Sequence, residues 1–239
     1  MPARDRWAQE FKRFVIIGES TVQGGGWLAD KSERYPDILA RLISSCQSQP
    51  VEYYNKGIGA NAISPRSPGY EKSAKPSALE RYQQDVIALK PDLCVVAYGL
   101  NDMRAAMPVE EFKEDLSTMV RHIRQACAPF LVLTTVYHMT GWKRYPPYDK
   151  GSSSLTRRYN QAITEVASAA SCVVADIWAG QGEADWLVHP DGVHANRVGN
   201  LIIAHRIFET IAQNASGIAW ATQERDKDTD WARATSQQK

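Results

Sequence analysis

Phe14-Val15-Ile16-Ile17-Gly18-Glu19-Ser20-Thr21, with Gly24-Gly25-Gly26 close behind, is the stretch from which the fold can be read. Four consecutive apolar residues, β-branched ones among them, make a short buried strand. The chain turns at Gly18 and leaves the polar Glu19-Ser20-Thr21 at the strand's carboxyl end, the edge at which open α/β sheets bind ligands. Ser20 is therefore a candidate nucleophile. The plainer alternative is that it only caps the helix that follows.

Working outward, Ser32-Glu33-Arg34-Tyr35-Pro36 has the capping residue and early proline of a helix start, and Ile38, Leu39, Leu42 and Ile43 continue at helical spacing. Val51–Tyr54 is expected as a second strand, running into Asn55–Asn61. The Pro-, Ser- and Gly-rich stretch Ser64–Pro76 is expected as a surface loop. Leu79, Tyr82, Val86 and Leu89 give a helix stopped by Pro91. Leu93–Tyr98 is uninterruptedly apolar, as a strand covered on both faces would be, and it ends in Gly99-Leu100-Asn101-Asp102. A helix follows, entered at Pro108 and marked by Phe112, Leu116, Met119, Val120 and Ile123. Phe130–Val136 is the fourth strand, then a loop from Tyr137 to Gly151, a helix over Leu155–Ala170 and a fifth strand over Cys172–Ile177. A loop through Trp186 reaches His189-Pro190-Asp191-Gly192-Val193-His194, and Val198–Ile211 closes as a helix. Strand and helix alternate five times, which implies an α/β fold with a five-stranded parallel sheet covered by helices on both faces. One domain spans residues 1–213, and residues 214–239 form a polar tail that is disordered or lies against the body or a partner subunit.

Composition excludes several classes. Lys and Arg total 28 against 27 Asp and Glu, so no global field gathers nucleic acid or an anionic membrane. No apolar run is long enough to span a bilayer, and Met1–Lys12 lacks a signal-peptide core. Cys46, Cys94, Cys127 and Cys172 are widely spaced, without metal-ligand or redox spacing. Free thiols, a cytoplasmic location, no cofactor and no metal are the expectations.

Acyl transfer needs a serine, an imidazole to take its proton and an acceptor for the other ring N–H. It also needs donors aimed at the oxyanion. Ser20 follows the first strand, Asn55–Asn61 the second and Asn101 the third, while Asp191 lies three residues before His194. In a parallel sheet these strand ends share one edge, so the loops can converge. The set resembles the SGNH, or GDSL, hydrolase family from about Phe14 to Ile211. Gly18-Glu19-Ser20 is similar to its nucleophile block, with Glu where Asp is usual. Gly99–Asn101–Asp102 is similar to its GxND block, and Asp191–His194, with Asn196–Gly199 after it, to its closing DxxH block. The resemblance implies a flavodoxin-like three-layer α/β/α sandwich (the SGNH hydrolase fold), Ser20 as nucleophile, His194 as base, Asp191 as its orienter and Asn101 as an oxyanion donor beside the Ser20 backbone N–H. The second block departs from the pattern: Ala60 stands where the family has its oxyanion-hole glycine. With a negative φ, Ala60 supplies the backbone donor; with a positive φ, Gly59 takes over through a one-residue shift.

No GxxxxGK[ST] or GxGxxG pattern supports a nucleotide site. His138 ends the fourth strand and faces the same sheet edge, a pocket-lining candidate with Trp142. Tyr145, Tyr148, Trp27 and Trp186 are core, cover or substrate wall. His189 is read as structural or at the rim, and His122 and His205 as surface or core-satisfied. The sequence thus implies a serine esterase acting on a small-molecule ester, with a short acyl group such as O-acetyl on a carbohydrate-like or small alcohol. A thioesterase or lysophospholipase on the same machinery and a catalytically silent ligand-binding protein are the alternatives, and homo-oligomerisation is left open.

Overall fold

The computed structural model describes residues 4–231 and 233. Its sheet contains β1 (Arg13–Gly18), β2 (Glu52–Gly57), β3 (Leu93–Ala97), β4 (Phe130–Thr134) and β5 (Val173–Ala175), all parallel, in spatial order β2-β1-β3-β4-β5. The helices among the described residues are α1 (Ser20–Gln23), α2 (Tyr35–Cys46), α3 (Tyr70–Ser73), α4 (Ala78–Asp85), α5 (Leu100–Arg104), α6 (Val109–Cys127), α7 (Ser153–Ala169), α8 (Ile177–Gln181), α9 (Arg197–Ala212) and α10 (Trp220–Lys227).

The strand order fixes the layers. From β1 the chain moves to β2 on one side, then crosses back to β3 on the other and continues outward. Right-handed crossovers running in opposite directions put their helices on opposite faces. Hence α4, α6 and α7 share one layer, and α2 packs with α9, which also meets α8, on the other. The result is the three-layer sandwich expected from the sequence, with its direction reversing between β1 and β3. That reversal opens the ligand crevice of such folds.

Burial follows chemistry. Phe14, Val15, Ile16 and Ile17 of β1 are fully buried, as are Leu93, Cys94 and Val95 of β3. On α6 the expected stripe of Phe112, Leu116, Met119, Val120 and Ile123 is buried. β2 is the edge strand, half-exposed along its length, which explains how it accommodates Asn55 and Lys56 and runs on to Gly57, past the expected end. In register, Gly18 faces Gly57 on one side and Ala97 on the other. Three loops therefore leave the sheet from one level. A Cβ on Gly18 would sit 2.3 Å from Val22 Cγ2 and 2.6 Å from the Ala97 carbonyl oxygen, so only glycine lets the chain turn here.

Other boundaries move for local reasons. The fifth strand is shorter than its apolar run because Asp176 caps α8, accepting from Ala179 N at 3.1 Å. The fourth ends at Thr134 beside that short partner. Ser64–Pro76 is not simply a surface loop: Ser64, Ser67 and Ser73 are buried. Ser64 Oγ donates to Asp115 and Arg66 pairs with Asp115 and Glu114, so α6 holds the segment in place. The expected tail docks in its first part. Ala215 and Ile218 join the hydrophobic core, Gly217 N donates to Trp7 O at 3.1 Å, and Ser216 bonds Asp5. Residues 232 and 234–239 of that tail lie outside the described residues. No described helix is long and apolar enough to cross a membrane.

Candidate active site

Ser20 opens α1, a single turn whose N-cap position is Glu19. Its side chain caps nothing; Oγ lies 2.9 Å from His194 Nε2. His194 sits on the segment before α9, and its Nδ1 is 2.8 Å from Asp191 Oδ2. The other carboxylate oxygen, Oδ1, accepts the backbone N–H groups of Val193 (2.8 Å) and His194 (2.9 Å). One carboxylate thus folds its own turn and orients the ring. With Nδ1–H donated to Asp191, the lone pair is on Nε2 and faces the serine hydroxyl. His189 Nδ1 lies 3.2 Å from both the backbone N and Oδ2 of Asp191, at the back of the same carboxylate.

Burial pushes the Asp191 carboxyl up, but the hydrogen bonds from His194 and Val193 outweigh it and hold the group below its ordinary value. Burial likewise disfavours the charged form of His194, and Asp191 offsets this only in part, leaving the imidazole below its ordinary value. His194 is then neutral at neutral pH and free to accept a proton.

Glu19 lies fully buried next to Ser20 and reaches across to the end of β3. Its oxygens accept Gly99 N at 2.9 Å and Asn101 N at 3.1 Å. Burial, with the Asp102 carboxylate nearby, drives its carboxyl well above the usual range. Asp102, also buried, accepts Ile63 N at 3.1 Å and is pushed by desolvation up to about 6. Asn101 donates from Nδ2 to Asn61 O at 3.1 Å. Asn61 is itself held by Tyr98 Oη and Arg81 at its Oδ1 and by Pro76 O at its Nδ2.

Ala60 adopts φ +56°, in the left-handed region. Of the two alternatives read from the sequence, positive φ pointed to Gly59 as the donor, yet the Gly59 N–H is engaged by Gln23 Oε1 and its carbonyl by Lys75 Nζ. The network around Asn61, with Tyr148 Oη on Ala60 O at 3.3 Å, holds alanine in a conformation it otherwise disfavours. Gly59 lies at the nucleophile: a Cβ built on it would be 3.9 Å from Ser20 Cβ.

The loop 137–151 braces the His194 segment. Thr140 and Gly141 donate to Gly192 O, Arg144 donates to Pro190 O at 3.0 Å, and Tyr137 Oη donates to Val193 O at 3.1 Å. His138 is buried, with Nε2 2.7 Å from Asp185 Oδ1, its backbone N–H donating to Gln181 Oε1 and its ring edge-on to Trp142 and Trp178. No hydrogen bond or ring contact links His138 or Trp142 to Ser20 or His194 among the described residues. His122 bonds Tyr82 Oη at 2.6 Å, and His205 is exposed. Trp27 is the aromatic that meets the site, stacked on His194. Its signal in the sequence was the glycine run before it. Among the described residues no group of His, Cys, Asp and Glu is arranged to hold a metal ion.

At the carboxyl edge of a parallel sheet a serine, an imidazole and a carboxylate stand in line, the arrangement a hydrolase of the serine type would need. The sequence profile of the GDSL-like Lipase/Acylhydrolase family matches residues 16–202, and the chain belongs to that family of ester-bond hydrolases. No curated protein matches it. Among solved structures it is similar to a lipase/acylhydrolase from Enterococcus faecalis, at 23% identity and TM-score 0.67, covering 84% of this chain and 95% of that one. It is also similar to Axe2, an acetylxylan esterase from Geobacillus stearothermophilus, at 18% identity and TM-score 0.63 over 90% and 100%. A GDSL-like lipase from Parabacteroides merdae gives 15% and 0.68 over 88% and 100%. At these identities the structural likeness speaks for the fold.

Proposed function

We propose that the chain is a serine esterase that removes a short acyl group, such as acetyl, from a carbohydrate-like or small alcohol. The observation that carries this reading is the line Ser20 Oγ–His194 Nε2 (2.9 Å) and His194 Nδ1–Asp191 Oδ2 (2.8 Å). Ser20 gives its proton to His194 Nε2 as Oγ attacks the ester carbonyl, and the carbonyl electrons move onto oxygen. The backbone N–H groups of Ser20 and Ala60 and the Asn101 side-chain amide are the oxyanion donors; Gly59 is excluded while Gln23 holds its N–H. His194 returns the proton to the leaving alkoxide. Water, deprotonated by the same imidazole, then splits the acyl-serine to the acid and restores Ser20.

The acetylxylan-esterase neighbour is consistent with O-acetyl carbohydrate. The test is fluorophosphonate labelling of wild type beside Ser20→Ala, with the modified peptide identified by mass. Acetyl, butyryl, long-chain and thioester substrates are then compared. Labelling at Ser20 alone with fastest turnover on acetyl esters is expected. An unlabelled, folded wild type would put the binding-protein alternative in its place.

A further inference from the structure

The His194 ring is held at both edges and on one face. Ser20 Oγ and Asp191 Oδ2 lie at its two nitrogens. The Trp27 indole is stacked on it at 3.6 Å between centroids with 8° between planes. Edge and face contacts do not compete, so Trp27 restricts the tilt that the two hydrogen bonds leave free. The chain before it is built for this placement. A Cβ on Gly25 would lie 2.2 Å from Trp27 Cζ3 and 2.7 Å from Cη2, inside the space the folded-back indole occupies. The glycine at 25 is what lets the ring reach the imidazole.

An indole face is electron-rich and attracts a cation best when both are desolvated. His194 is neutral in the resting enzyme and becomes imidazolium as it takes the Ser20 proton, so the attraction strengthens on the way to the transition state. Interactions of that kind raise kcat rather than lower KM. The other charged groups acting on the ring are Asp191, which favours the imidazolium, and Arg104 and His189, which oppose it.

We propose that Trp27 is a positioning residue that holds the His194 ring in plane with Ser20 and Asp191 and stabilises its cationic form during turnover; this rests on the serine-esterase reading.

The test uses Trp27→Leu, Trp27→Phe and Gly25→Ala, with p-nitrophenyl acetate kinetics and NMR titration of the His194 ring protons, assigned with His194→Gln. Trp27→Leu should lower kcat by about tenfold with KM nearly unchanged. Trp27→Phe should retain most of the activity, and Gly25→Ala, which keeps the indole but displaces it, should fall with the leucine variant. The His194 midpoint should lie lower in Trp27→Leu than in Trp27→Phe, since both cover the ring but only one offers a π face. Equal kcat in the leucine and phenylalanine variants, or equal His194 midpoints, would overturn the role. Ser20→Ala is run alongside. Turnover persisting there removes the esterase reading itself, whereas an inactive Ser20→Ala beside an unimpaired Trp27→Leu removes only the role of Trp27.

Discussion

Asp191→Asn isolates the carboxylate's charge from its geometry. Oδ1 of Asp191 accepts two backbone N–H groups, from Val193 and His194. An asparagine must keep its carbonyl oxygen there, because turning it around would set an NH₂ against two donors. The NH₂ then faces His194 Nδ1, which must become the acceptor. The ring proton moves to Nε2, where it points at Ser20 and blocks proton transfer. The charge lost can be sized. A carboxylate and an imidazolium 2.8 Å apart interact by about 6 kcal/mol at an effective dielectric near 20. That corresponds to about four decades in rate, and to about three once partial exposure of both side chains (17% and 21%) is allowed for. Turnover of p-nitrophenyl acetate should fall by roughly 10³–10⁴ with the thermal midpoint little changed, because the turn's hydrogen bonds survive. The rate of fluorophosphonate labelling should fall alongside it. A folded Asp191→Asn within tenfold of wild type would show that something other than this carboxylate orients His194.

Three further outcomes are expected. The profile of kcat/KM against pH should rise with a midpoint below about 6.5, because burial, only partly offset by Asp191, lowers the His194 value; a midpoint above 7 or a flat profile would refute the assignment of the base. Asn101→Ala should reduce kcat by about 10²–10³ with KM nearly constant, the scale of one lost oxyanion donor, whereas a change confined to KM would make Asn101 a substrate-binding group. Asp102 reaches about 6 in the folded chain from an ordinary 3.8, so the native state holds the extra proton between those values. Stability from this group is therefore lost as pH rises through that window, by on the order of 3 kcal/mol. Urea midpoints at about pH 4 and about pH 7 should show a smaller loss in Asp102→Asn than in wild type, and parallel curves would contradict the buried, proton-linked state of Asp102.

The sheet was legible because its strands are covered on both faces: Phe14–Ile17 and Leu93–Ala97 have no polar residue to confuse the period. β2 was less so, since an edge strand tolerates Asn55 and Lys56, and its pattern carries no burial signal there. The ends of β4 and β5 were misjudged because Ile177 is apolar in either state, and only the Asp176 cap decides for helix. Ser20, Asn101, Asp191 and His194 stood out because each follows a strand or precedes a helix at a fixed place in the topology. What the sequence could not show was how side chains on different loops engage one another. His138 was expected at the pocket, yet Asp185 and Gln181 on the following elements claim it. The Gly59 N–H, one of the two backbone donors the sequence offered, is taken by Gln23, thirty-six residues away.

That long-range dependence has a physical logic. Oxyanion donors are useful only if fixed before charge develops, and a donor on a loop is fixed only by contacts that cost stability elsewhere. On the oxyanion assignment proposed above, the buried carboxyl groups of Glu19 and Asp102 supply those contacts. Glu19, the residue before Ser20, ties the end of β1 to the turn that carries Asn101, and Asp102, one residue after Asn101, holds Ile63. Between these ties run Ala60 and Asn61, the one in the left-handed region and the other receiving the Asn101 amide. Removing either acid would therefore loosen both sides of the oxyanion site together. The raised carboxyls and the positive φ of Ala60 are two expressions of one arrangement, in which folding free energy is used to hold the donors still.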